Sequence, residues 1–143
     1  MKNTKRIFLF FISLILSSLF INCIIIQSDD FSQIIGKEWK VVSIGGQELK
    51  IADLENGLPV ITFYKNNKLS GFTGCNAFNG TYKTENSHIT LDQGVMTKMM
   101  CDDNTEMRLL SAFDEINEWR IIEDKLELLN KEKVVLILVL VEK

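Results

Sequence analysis

Gly71-Phe72-Thr73-Gly74-Cys75-Asn76-Ala77-Phe78-Asn79-Gly80-Thr81-Tyr82 carries three glycines and two asparagines between two stretches of strand-forming residues. That density implies a backbone with several positive-φ or closely approached positions, which glycine adopts without a Cβ penalty. Upstream, Val60-Ile61-Thr62-Phe63-Tyr64 is a β-branched and aromatic run. Asn66-Asn67 between lysines marks a hairpin tip, because asparagine tolerates positive φ, and Lys68 to Thr73 returns as the partner strand. Downstream, Asn79 to Thr84 and Ser87 to Leu91 form a second hairpin around Glu85-Asn86. The segment is therefore a link between antiparallel pairs.

Working outward, Glu38 to Ile44 alternates roughly, with Trp39 and Val41 on one face, and ends at the Gly45-Gly46 turn. Asn56-Gly57 punctuates the chain before Val60. One helix is expected between Asp103 and Glu118, with Met107, Leu110, Phe113 and Ile116 at helical spacing, Leu109 beside them, and Asp103/Glu106 as a capping box. Lys125–Asn130 and Lys133–Val141 close the chain as two strands turned by Asn130-Lys131-Glu132. Val134 to Val141 has no polar residue, which predicts a central strand covered by the helix on one side. The expected fold is α+β, a small curled antiparallel sheet of about seven or eight short strands packed with one main helix.

The N-terminus reads differently. Lys2, Lys5 and Arg6 precede an apolar run from Ile7 to Ile21, the layout of a secretory signal. The run ends in Phe20-Ile21-Asn22-Cys23, which resembles the lipobox of bacterial lipoproteins, although Phe20 and Ile21 are bulkier than usual. That resemblance implies cleavage after residue 22 and a lipid on the Cys23 thiol. An uncleaved signal anchor continuing through Ile26, or cleavage with release, are the alternatives. All three place the domain outside the cytoplasm. Ile24 lacks the aspartate that retains many lipoproteins at the inner membrane, which leans toward the outer one. The resulting organisation is a signal at 1–22, a tether at 23–33 and one domain at 34–143.

The chain has 16 Lys+Arg against 19 Asp+Glu, and the leader holds three of the cations and no acid, so the mature chain carries 13 against 19, a net −6. That balance argues against nucleic acid, whose recognition rests on neutralising phosphates, and against electrostatic adhesion to anionic lipid. About 110 residues can bury one core, which a covalent staple would help to stabilise.

A second unusual stretch, Met96-Thr97-Lys98-Met99-Met100-Cys101, stands directly before the helix. Gly71, Gly74, Cys75, Asn76, Phe78, Gly80 and Tyr82, followed by Met96, Thr97, Met99 and Cys101 and then a helix, resemble the META/HslJ domain family. Trp39 and the Leu126/Leu128 strand agree with it. The resemblance spans roughly Ile34 to Lys143. It implies a small exported protein, often a lipoprotein, with a compact antiparallel sheet and one helix. Family members are linked to heat or envelope stress and novobiocin tolerance, or to secretion and motility. The resemblance brings no catalytic residues with it.

Once Cys23 is lipidated, Cys75 and Cys101 remain as an even pair, which in an exported domain favours a disulfide closing a loop of about 27 residues and adding roughly 3–4 kcal/mol. Two buried thiols packed near each other are the alternative. Their spacing is no zinc signature. Met96, Met99 and Met100 beside Cys101 are soft ligands suited to Cu(I), but ordinary core packing is the expected role. His88, the only histidine, is expected on an exposed strand rather than paired with Cys75 as base and nucleophile. Asp114, Glu115 and Glu118 are read as a solvated helix face, and Asn79-Gly80-Thr81 as turn chemistry rather than a glycosylation site. The expectation is a non-enzymatic, monomeric envelope lipoprotein with no cofactor or metal, acting in stress tolerance through a protein or small-molecule partner. A carrier of hydrophobic ligands, built around Val134–Val141, is the alternative.

Overall fold

Alternation builds most of the first strand, β1 (Glu38–Ile44), which buries Trp39, Val41, Ser43 and Ile44 and turns Glu38 outward. Gly45 and Gly46, at φ 61° and 80°, reverse the chain into the two-residue β2 (Gln47–Glu48). β3 (Val60–Tyr64) and β4 (Lys68–Phe72) form the hairpin whose tip is Asn66-Asn67, both at positive φ. β5 (Ala77–Glu85) and β6 (His88–Met96) form a longer hairpin turned at Asn86. After helix α1 (Thr105–Glu115) come β7 (Glu118–Ile122), β8 (Lys125–Asn130) and β9 (Lys133–Leu140). A computed structural model describes residues 30–141; the leader, Cys23 and the tether through Asp29 lie outside the described residues.

The nine strands make one antiparallel sheet in the order β2-β1-β3-β4-β5-β6-β7-β8-β9, and β1 also pairs with β9. The sheet therefore closes on itself, which removes most of its free edges. Its weakest seam is β6–β7, joined through His88↔Glu118 and flanking backbone bonds from Ile89 to Asn117 and from Trp119 to Ser87. The helix packs against β6, β1 and β9, with Phe113 edge-on to Phe78 at 5.8 Å. Inside lie Phe63, Phe78, Leu69, Leu126, Leu128, Leu136 and Leu138, all at 1% exposure or less. Phe31, in the stretch read as tether, stacks its ring against Phe63, Tyr82 and Trp119 at 5.0–5.5 Å, so this end of the tether is part of the folded domain.

Three expectations are corrected. The sheet has nine strands rather than seven or eight, because β2 is too short for a pattern and β7 begins where the helical spacing was extended to Glu118. The buried helix face is Leu109, Ala112 and Phe113, continuing to Ile116, whereas Met107 is 66% exposed. Both series have helical spacing, but only the first runs i, i+3, i+4, i+7 without a gap. The capping box is absent as well: the cap position is Asn104, whose side chain makes no cap bond, and Asp103 instead accepts from the Thr105 N–H at 2.8 Å. In β9, Leu136 and Leu138 face the core, while Ile137 and Val139 are half-buried on the other face. The helix packs against that strand, but chiefly against β6.

Candidate functional site

The two motifs meet at Asn76, a polar side chain only 2% exposed. Its Oδ1 accepts from the Met99 N–H at 2.6 Å and from the Thr97 hydroxyl at 2.8 Å. Its amide N–H groups lie within reach of the Met99 carbonyl at 3.1 Å, Glu106 Oε1 at 3.2 Å and the Cys75 sulfur at 3.3 Å. An asparagine has two donors and two acceptor positions, so every one is engaged. Thr73, fully buried, gives its hydroxyl to Glu106 and accepts from the Asn76 N–H at 2.8 Å. Glu106 therefore does not turn back onto its own helix. It bridges α1 to the β4–β5 link.

Cys75 and Cys101 are disulfide-bonded, 5.9 Å apart at Cα, which covalently repeats the Asn76 tie. Beyond the bridge, Glu55 accepts from the Asp102 N–H at 3.2 Å, while Asp103 accepts from the Glu55 N–H at 3.5 Å and Asn56 reaches the Cys101 sulfur. Three separate segments (53–57, 73–76 and 97–106) are thereby clamped together. Sequence reasoning missed Thr73, Glu106, Glu55 and Asn56 as members. Thr73 lies inside the quoted motif and was available to notice. The partners of Glu55 and Asn56 are set only by folding.

The remaining motif residues build the strands around the clamp. Phe78 and Tyr82 are buried, and Tyr82 donates to the Tyr64 carbonyl at 2.9 Å while burial pushes its phenol up from the ordinary value. Gly74 sits at φ 95°, which disfavours any side chain. Gly80 is required by approach: a Cβ there would lie 1.8 Å from the Asp92 carbonyl oxygen, and at Gly71 2.1 Å from that of Val60. Gly80→Ala is expected to cost about 1–3 kcal/mol by forcing β5 from β6. Denaturant unfolding within a few tenths of wild type would refute that account.

Met96 packs half-buried against the core, but Met99 is 61% exposed and Met100 98% exposed. The core-packing expectation is therefore corrected for these two. Their backbone is held by Asn76 and the disulfide, and the side chains project away. Met100→Ala is expected to change stability by less than about 0.5 kcal/mol. Mild peroxide should oxidise Met100 ahead of Met96, as read by peptide mass. The Cys101 sulfur is bonded and gives no thiolate for copper. No group of three or more His, Cys, Asp or Glu side chains arranged for a metal occurs among the described residues. Cys75, likewise bonded, offers His88 no nucleophile, and His88 is exposed on β6. Asp114 and Glu115 are exposed on the helix, whereas Glu118 is half-buried at the start of β7.

Asp103 is one of the clamp's carboxylates. A hydrogen bond with the Thr105 side chain holds its carboxyl below the ordinary aspartate value; partial burial pulls the other way, and the Thr105 and Glu55 backbone bonds add to the lowering. A depressed folded-state value stabilises above the unfolded value and is lost as pH falls through the folded one. The stability gap between wild type and Asp103→Asn should therefore be full above about pH 4 and close on further acidification. A gap of constant size between pH 7 and pH 3 in urea titrations would contradict it.

The fold and clamp define a class, a small closed antiparallel sheet with one α-helix among the described residues, its β4–β5 link stapled to the segment ahead of that helix. The chain belongs to the META domain family, whose model matches residues 32–143. Solved structures agree at the level of fold. An NMR structure at 22% identity superposes with a TM-score of 0.62 over 78% of this chain and 95% of that one. An NMR structure of a protein from Burkholderia xenovorans, at 17% identity, gives 0.62 over 78% and 86%. The crystal structure of a DUF4847 family protein from Bacteroides vulgatus, at 14% identity, gives 0.59 over 76% and 95%. No curated relative matches the chain by sequence.

Proposed function

We propose that this chain is a non-catalytic, monomeric domain exported to the cell envelope, held at a membrane through lipid on Cys23, more readily the outer than the inner. It acts in heat, envelope or novobiocin-type stress tolerance by binding a partner or small molecule. The observation that carries the reading is the Cys75–Cys101 bridge behind a secretory leader, since disulfides persist in oxidising compartments. The internal engagement of Thr73, Asn76 and Glu106 supports a structural rather than reactive role for the motifs. Close filling of the interior by Phe63, Phe78, Leu136 and Leu138 favours core packing over an enclosed hydrophobic ligand.

Intact mass of the membrane-extracted protein tests the address. Loss of residues 1–22, a diacylglycerol-sized addition on Cys23 and a two-hydrogen gain on reduction are expected. An unprocessed, unlipidated chain would overturn the anchor. A deletion strain with unchanged heat, detergent and novobiocin tolerance would overturn the stress role.

A further inference from the structure

In contrast to the clamp, the outer face of β3–β6 carries polar side chains of which several have no protein partner among the described residues. A cleft of about 560 Å³ lies there, lined by Tyr64, Lys68, Ser70, Asn79, Thr81, Asp92 and the apolar Val95 over a floor that includes Leu69, Gly80 and Gly94. Strand register sets these residues in two rows. Tyr64, Lys68, Thr81 and Asp92 pair in succession across the four strands, and Thr62, Ser70, Asn79 and Gly94 form the next row. Gly94, at φ 59°, lies beside a register shift between Phe78 and Asn79, and such bulges bend a strand and re-aim its neighbours. A Cβ at Gly94 would lie 2.4 Å from the Asn79 carbonyl oxygen, so the glycine lets β5 and β6 approach closely at the end of the second row.

The side chains of Lys68, Asn79 and Thr81 make no hydrogen bond or ion pair within the described residues. Asp92 uses Oδ1 for the Gly94 N–H at 2.8 Å, which leaves Oδ2 open. Tyr64 is 44% exposed, and its phenol oxygen accepts from Ser70 at 3.3 Å, so its own hydrogen points elsewhere. The cleft thus offers an exposed aromatic ring, a donor, an acceptor and two groups that are both. Lys68 and Asp92 stand one strand either side of Thr81, about 10 Å apart, so the charge balances.

We propose that this cleft binds a neutral oligosaccharide, one ring packing on Tyr64 and its hydroxyls shared among Lys68, Asn79, Thr81 and Asp92. Sugar hydroxyls donate and accept at once, which is what this mixture of groups requires. A sugar ring also has an apolar face that suits an exposed tyrosine. Balanced charge disfavours a polyanion. The proposal deepens the binding part of the function above and does not depend on the anchor or the stress role.

The test titrates full-length protein, in a detergent without a sugar headgroup, with a tetrasaccharide of N-acetylglucosamine and with maltotetraose, by calorimetry and amide NMR. Binding of at least one at a Kd of about 0.1–1 mM is expected. Tyr64→Ala should weaken it about tenfold and Asn79→Ala severalfold, whereas Met107→Ala, on the helix, should not. Circular dichroism and the mass of the intact disulfide confirm that each variant folds. No binding at about 10 mM, or binding unaffected by both cleft variants, would overturn the proposal. So would self-association that Tyr64→Ala abolishes, since a second copy would then occupy the cleft. A stress phenotype with no saccharide binding would remove the cleft proposal and leave the envelope role standing.

Discussion

Replacing Asn76 with alanine is expected to destabilise the domain by about 3–4 kcal/mol. The substitution removes little volume but leaves the Met99 N–H, the Met99 carbonyl and one oxygen of Glu106 without their partner in a part-buried site. Each orphaned buried group costs about 1–3 kcal/mol, and more where a charge is involved. The Thr97 hydroxyl is exposed and re-solvates, so it adds little. Asn76→Asp keeps the shape and both acceptor contacts, yet turns a carboxylate toward Glu106 and the Met99 carbonyl. It should be at least as damaging at neutral pH. Urea unfolding followed through Trp39 and Trp119, both buried, measures these changes. A loss below about 1 kcal/mol for the alanine variant would mean that water replaces the amide and that the clamp is not built around it.

Removing the disulfide through Cys75→Ala with Cys101→Ala is expected to cost about 3–4 kcal/mol and roughly 12–20 °C in Tm. The two cysteines are 26 residues apart, and the loop they close contains β5, the β5–β6 turn and β6. The unfolded chain gains most from release of so long a loop. The effect should fall short of additive with Asn76→Ala, because both ties join the 73–76 link to the 97–101 segment. Full additivity in a double-mutant cycle would show that the bond and the amide hold separate structures. Reduction of the wild type should reproduce the stability loss of the double alanine variant.

Much of the fold was legible wherever local chemistry decides it. Asn66-Asn67, Asn86 and Gly45-Gly46 adopt the positive φ that their residue types permit, so the hairpins were readable from their tips. The Trp39/Val41 face followed from period-two alternation. The pairing of Cys75 with Cys101 was readable as an expectation from the cysteine count, the expected export and the motif resemblance together. The helix was legible in existence but not in orientation. Met107 and Leu110 compete with Leu109 and Ala112 for the same spacing, and only the sheet surface against which Phe113 packs settles the choice.

The sequence alone determined a META-family domain and an antiparallel sheet with one α-helix among the described residues, because turn chemistry and motif spacing are local properties. Tertiary structure decided three things that local rules leave open. It closed the sheet by pairing β1 with β9, whose residues are far apart in the chain. It drew Glu106 away from its own helix to Thr73 and Asn76, because a buried amide has to find its partners wherever the fold places them. It also turned Met99 and Met100 outward, because the backbone bonds and the disulfide that fix this segment leave those side chains no core to enter.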